Sequence, residues 1–357
     1  MKVPKEAKKV NRDLNTVNFI RLLAKLTLII FLLSVPACKP QPADCSRKDV
    51  FCVGLVTAYD SVEDNGLNQS AWNTLQDIEA QAHIARLDNI ESIDSRDWEK
   101  NIVFFADNGY DVIVTVGSNL SATTIAVAAK YPDISFIGID QEIDEVHENI
   151  ATITFAEDEA GFLAGMLAAM VSTSGKVGAI CETSGINEVW QYCEGFHAGA
   201  VYKVEDISIT VVYRENGDRD KTFNDPEWGQ QRMLSLVDNG VDVMTAFGGN
   251  TAQGAFLSAA ENNVLVIGSE EDLYYYLPDV QEVFVTSILN DPGAELSSLV
   301  LQASQGETVS GSLAGQIRYA PFRTSQFESA MEIQSNLDDA LQKIRNGEIE
   351  INLPPKN

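Results

Sequence analysis

Apolar residues along this chain fall into two alternating patterns. Short continuous runs, such as Phe51 to Val56, the stretch 111–116 and the stretch 134–139, read as strands buried on both faces of a parallel sheet. Between them the apolar positions recur at three- and four-residue spacing. Residues 66–82 place Leu67, Ala71, Leu75, Ile78 and Ala82 on one helical face, and residues 95–107 turn Trp98, Ile102 and Phe105 inward. A further helix at about 120–130 is closed by Tyr131-Pro132, where the proline cannot continue it. With a short strand over 84–87, this predicts a β-α-β-α-β-α-β series.

The second half repeats the series: strand 176–181, helix 187–203, strand 207–213, helix 226–239, strand 242–247, helix 251–262 and strand 264–269. The repeat extends to individual residues. Gly109-Tyr110-Asp111-Val112-Ile113-Val114-Thr115-Val116-Gly117 is matched by Gly240-Val241-Asp242-Val243-Met244-Thr245-Ala246-Phe247-Gly248, and Ile134 to Asp140 is matched by Val264 to Glu270. Strict alternation gives parallel sheets with right-handed crossovers. The expected fold class is therefore α/β, two doubly wound parallel-sheet lobes joined by crossovers. The lobes are expected at 50–153 plus about 290–357, and at 154–289. An apolar helix rich in small residues, within Phe155 to Met170, is placed at the junction, and Val283 to Leu289 is a candidate crossover returning to the first lobe. A helix at about 292–304 and a last helix at 326–346 follow. In such sheets ligands gather beyond the carboxyl ends of the strands, where Asp140 and Glu270 stand in corresponding places.

The first residues change the picture of where the chain resides. Lys2, Lys5, Lys8, Lys9, Arg12, Arg21 and Lys25 precede an apolar run, Leu26 to Leu33, that is too short for a spanning helix. Val35-Pro36-Ala37-Cys38 then has the form of a lipoprotein cleavage site, so 1–38 is expected to be an export signal, Cys38 the lipidated N-terminus and 39–49 a tether. The alternative is an ordinary cleaved signal. The chain's net charge of −27 becomes more negative once that basic segment is gone. So acidic a surface argues against nucleic acid as a partner. Four cysteines remain besides Cys38. Neighbours in sequence would pair as Cys45–Cys52 and Cys181–Cys193, although four cysteines allow three connectivities, and buried free thiols are the alternative.

Catalytic chemistry finds little support. His83, His147 and His197 have no Ser or Cys partner in a nucleophile context, and no Gly-x-Ser-x-Gly turn, P-loop or dinucleotide fingerprint is present. No cysteine–histidine spacing suggests a metal, and no cofactor is implied. Glu157-Asp158-Glu159 opens the junction helix and is explained by the helix dipole. The polar stretch from Asp60 to Trp72 puts acids, amides and free N–H groups at the cleft rim.

The segment Gly54-Leu55-Val56-Thr57 through Asn68-Gln69-Ser70-Ala71-Trp72 resembles the opening of the basic membrane protein family. So do Asn149 to Phe155, Glu159-Ala160-Gly161-Phe162-Leu163-Ala164-Gly165, Glu194 to Ala200, and Phe223-Asn224-Asp225-Pro226. The likeness runs in order along essentially the whole chain after the signal. It implies a clamshell of the periplasmic-binding-protein type, a lipid-anchored monomer on the outer face of the cell membrane, binding a purine nucleoside between two aromatic rings and serving an ABC permease. Carried over by position, a stacking Phe falls on Leu67, the second ring on Tyr192, a ribose-binding Asp on Glu270 and a Lys on Asn290, while Asn68, Asp140 and the Gly248-Gly249 loop are kept in kind. Losing a ring removes stacking worth roughly 0.5–1.5 kcal/mol, and losing a cation removes charge-assisted hydrogen bonds of order 1.5–3 kcal/mol each. These departures weigh against a nucleoside in the family's standard geometry, with Tyr59 or Trp72 as a replacement ring and the core as the alternative place for Trp72. A sugar or other metabolite as ligand, and a sensor feeding a membrane signalling partner, are the alternatives.

Overall fold

The computed structural model describes residues 43–59, 61–64, 66–214, 221–323 and 331–356; the signal segment and Cys38 lie outside them. Each half builds one six-stranded sheet, and the two sheets have the same strand order. In the first, β1 (Phe51–Thr57), β2 (Ile84–Glu91), β3 (Val112–Val116), β4 (Ser135–Ile139) and β5 (Ile150–Thr154) are arranged 5-4-3-1-2. In the second, β6 (Lys176–Cys181), β7 (Ser208–Tyr213), β8 (Val243–Phe247), β9 (Leu265–Ser269) and β10 (Phe284–Asp291) are arranged 10-9-8-6-7. All of these neighbours run parallel. The near-continuous apolar runs follow from this, because each sheet has a buried cluster on both faces.

The helices lie close to where the apolar spacing puts them: α1 (Leu67–Ile78), α2 (Trp98–Asp107) and α3 (Ser121–Ala128) in the first lobe, and α5 (Asn187–Lys203), α6 (Pro226–Asp238) and α7 (Gly249–Glu261) in the second. Between them α4 (Glu157–Val171) is buried along most of its length. Glycines set how closely α4 and α5 approach. A Cβ built on Gly161 would sit 1.9 Å from the Tyr192 carbonyl oxygen, and one on Gly165 would sit 1.9 Å from that of Phe196.

Two parts of the sequence reading need correction. Val283 to Leu289 is not a crossover: from Phe284 onward it lies in β10, the fifth strand of the second sheet, paired with β9 and buried. Its counterpart β5 is likewise a fifth strand beyond the four that the apolar blocks predict, so each unit is one strand longer than the pattern implies. The chain after 290 also does not stay with the first lobe. The helix α8 (Gly293–Ser304) packs there through Leu296, Leu299 and Val300, and β11 (Gly311–Ala314) pairs with β5. Then β12 (Gln316–Tyr319) runs antiparallel to β10, and α9 (Met331–Arg345) packs Leu337, Ala340 and Ile344 into the second-lobe core. The chain thus passes between lobes three times, after β5, after β10 and at Gly315.

The expected tether is partly folded. Both disulfides form, Cys45–Cys52 and Cys181–Cys193. The first pins the turn at Asp44–Asp49 to β1, with Cys45 buried against the first-lobe core.

Candidate functional site

Strand ends in the two lobes face a common cavity of about 710 Å³. That is within the ordinary range for small-molecule sites. The first lobe contributes Ala58 and Tyr59 after β1, Leu67 and Asn68 at the start of α1, Val116 to Asn119 after β3, and Asp140 after β4. From the second lobe come Ile186, Glu188, Val189 and Gln191 at the start of α5, Phe223, Phe247 at the end of β8, and Glu270-Glu271 after β9. The crossovers supply Thr154, Phe155, Glu157 and Asn290.

Asp140 and Glu270 are related by the internal repeat in backbone as well as in place. Both are in the left-handed region, at φ 57° and 66°. Their N–H groups donate to equivalent neighbouring strands, Asp140 to Ile153 O at 2.8 Å and Glu270 to Ile288 O at 3.2 Å. A non-glycine residue held there is strained, and such strain concentrates at ligand sites. The local kink after each strand carries both carboxylates to the cavity wall. Burial, then the neighbouring Glu188 charge, pushes the Asp140 carboxyl up to about 7. Crowding by the cavity walls, followed by Glu271 and Asp140, raises Glu270 to about 8, although its side chain keeps solvent access through the mouth. Glu157 is 6% exposed and is raised to about 8 by burial, against the opposing effect of Asn290, whose Nδ2 donates to its Oε1 at 2.9 Å.

The cavity brings together Leu67, Asn68, Asp140, Glu270 and Asn290, but not Tyr192, Gly248 or Gly249. Asn68 donates through Nδ2 to Tyr59 O at 3.1 Å, fixing the loop that carries the Tyr59 ring. Tyr192 is 1% exposed: its ring packs on Phe247 at 4.7 Å and its hydroxyl meets Thr245 Oγ1 at 2.8 Å. It is a core residue directly behind Phe247, because the α5 face that carries it is the one pressed onto α4. Gly248 and Gly249 act from behind as well. Gly248 has φ 147°, and a Cβ there would lie 2.7 Å from the Glu182 Cβ.

Several lining residues were not identified from sequence. Phe223 was quoted only as part of a motif, yet it lines the cavity from a left-handed backbone, φ 62°. It is held there from both sides: Asn250 N–H donates to its carbonyl at 2.9 Å, and Asp225 N–H donates to Thr251 Oγ1 at 3.0 Å. Arg214 donates to Asp225 Oδ2 at 3.1 Å, which holds that carboxyl below its usual range, and pairs with the buried Glu182 at 2.7 Å. Phe155 and Phe247 complete the aromatic wall, with Tyr59 opposite, 42% exposed and edge-on to Trp98. Glu157 is the clearest departure. A helix dipole accounts for an exposed first-turn acid, whereas this one is buried and lines the cavity.

Among the described residues no three carboxylate, cysteine or histidine groups are placed to hold a metal ion, and no helix is long and apolar enough to cross a membrane. The three histidines do not line the cavity.

A family model described as "ABC transporter substrate-binding protein PnrA-like" matches residues 51–352. The chain is 28% identical over 245 residues to the "CD4+ T-cell-stimulating antigen" of Listeria innocua, a match covering 66% of each protein. It is 27% identical over 232 residues to the "ABC transporter nucleoside-binding protein BmpA" of Lactococcus lactis, covering 62% of this chain and 64% of that protein. Both matches therefore span slightly under two thirds of the relative's length. The solved structure of an ABC transporter solute-binding protein from Conexibacter woesei superposes with a TM-score of 0.69 at 21% identity, covering 86% of this chain and 99% of that one. That likeness concerns the fold.

Proposed function

Since this chain belongs to the PnrA-like family of ABC transporter substrate-binding proteins, we propose that it is the extracytoplasmic receptor of an importer, tethered by lipid on Cys38. On this reading it closes over a purine nucleoside between its lobes and delivers it, unchanged, to a membrane permease. The observation that carries the reading is the pair Asp140 and Glu270: matching strained carboxylates, one per lobe, on the wall of a single cavity. A ligand that touches both lobes stabilises the closed arrangement by its differential affinity for it, and hinge motion at the three crossovers releases it.

Nucleoside chemistry fits the lining. Phe223, Phe247, Phe155 and Tyr59 offer flat apolar faces for a base, which compensates for Leu67. Asp140, Glu270 and Asn68 offer hydrogen-bonding groups for sugar hydroxyls. The Lactococcus relative is named for nucleoside binding, which agrees. A sugar or other metabolite is the competing reading, because Asn290 replaces the cation of the resemblance.

The test is a thermal-shift titration of the purified protein lacking residues 1–38 with guanosine, inosine and adenosine, beside ribose and glucose, together with mass spectrometry of co-purifying compounds. Ligand at a hundred times Kd adds about 2.7 kcal/mol of stability. A shift of several degrees with a nucleoside and none with the sugars supports the reading. A shift with a sugar alone overturns the ligand assignment.

A further inference from the structure

Among the described residues seven carboxylates line the cavity, and no Lys, Arg or His does. Three of them line it from different parts of the fold, Asp140 from the first lobe, Glu270 from the second and Glu157 from the crossover, and the charge of Asp140 acts on both of the others. None of the three has an ion-pair partner among the described residues. Glu157 accepts from the neutral amide of Asn290, and Asp140 accepts from the backbone N–H of Ser118. Elsewhere in the same lobe buried acids are paired: Glu182 with Arg214, and Asp272 with Arg323 at 2.7 Å. Burying charge without a partner is disfavoured, and of the three only Glu157 is buried, Asp140 being partly exposed and Glu270 exposed; Glu157 lacks the arginine that the other buried acids of the lobe have.

We propose that the ligand itself supplies the missing charge: an organic cation, carrying an ammonium or amidinium group between Asp140, Glu157 and Glu270. This deepens the proposed function and rests on the cavity being the ligand site. A metal ion does not fit, because among the described residues no three acids are grouped closely enough to coordinate one. A larger organic cation spans that separation, and the faces of Phe155, Phe223 and Phe247 attract positive charge. Anionic ligands such as nucleotides are excluded by the same field. Position 290 is the determinant: its amide leaves Glu157 without the cation that a lysine there would provide.

Protonation should follow. Asp64, Glu142, Glu188 and Glu271 line the same volume and add negative charge to the field at the three central acids, and the Tyr59 side chain lines it beside them. A cation prefers those acids ionised, so its binding releases protons, and affinity rises between pH 6 and 8.5 as long as the ligand stays charged.

The experiment is calorimetry on the protein lacking residues 1–38 with three probes: adenosine, 5′-amino-5′-deoxyadenosine and spermidine. The amino-nucleoside should bind at least tenfold more tightly than adenosine at pH 7.5. The heat should vary with the buffer's ionisation enthalpy, and Asn290→Lys should reverse the preference. Adenosine binding as tightly as its amino analogue, with no reversal in Asn290→Lys, overturns the inference and leaves the nucleoside reading standing. Spermidine binding without either nucleoside overturns the nucleoside reading and upholds the inference. No binding by any of the three contradicts both.

Discussion

At the scale of single residues, the site and the core behind it are separable. Tyr192 and Phe223 are both aromatic, but only Phe223 lines the cavity. Phe223→Ala should weaken ligand binding by roughly the 0.5–1.5 kcal/mol of a lost ring contact plus its buried area, with little change in melting temperature. Tyr192→Phe should do the reverse. Loss of its hydroxyl contact with Thr245 removes about 0.5–1.5 kcal/mol of stability and leaves Kd unchanged. A Kd change in Tyr192→Phe and none in Phe223→Ala would exchange their roles. Glu157 gives a pH signature. Its folded-state pKa of about 8 lies above the ordinary value of 4.5, so the folded protein holds a proton that the unfolded chain has lost. Stability from this group is present below about pH 4.5 and is lost as pH rises through 8. Melting curves of the ligand-free protein should therefore show Glu157→Gln gaining on the parent between pH 5 and 9, and a constant difference would refute the shift.

Elements were more legible than their connections. Periodicity located α1 to α3, α5 to α7 and the four leading strands of each lobe, because a strand buried on both faces is a short apolar block and a packed helix shows a stripe. It failed at the fifth strands. Nothing local in Val283 to Leu289 distinguishes a strand within one sheet from a segment that joins two, since partner choice is a long-range property. The same limit applies to the site. Asp140 and Glu270 were visible as strand-end acids in a repeat, whereas Glu157 looked like a dipole-matched surface acid, because burial by the facing lobe leaves no mark on the helix. Glycine spacing in α4 was visible but its purpose was not. Gly165→Ala would press a methyl into the Phe196 carbonyl and separate α4 from α5, so denaturant unfolding should show a loss of about 1–3 kcal/mol or more. A loss below 0.5 kcal/mol would mean that the helices are not held at that distance.

Over the whole molecule, duplication makes the receptor. Two lobes with the same strand order bring corresponding strand ends to one gap, and the chain passes between them three times. Strain at Asp140 and Glu270 and the buried carboxyl of Glu157 are concentrated at the cavity, while buried acids elsewhere in the second lobe carry arginine partners. The central claim is that ligand engages both lobes at once. Hydrogen–deuterium exchange, with and without whichever nucleoside probe gives the larger thermal shift, measures this most directly. The account predicts slowed exchange together at 138–142 and 268–272, one strand end from each lobe. Protection confined to one lobe, or found only outside the cleft, would contradict it.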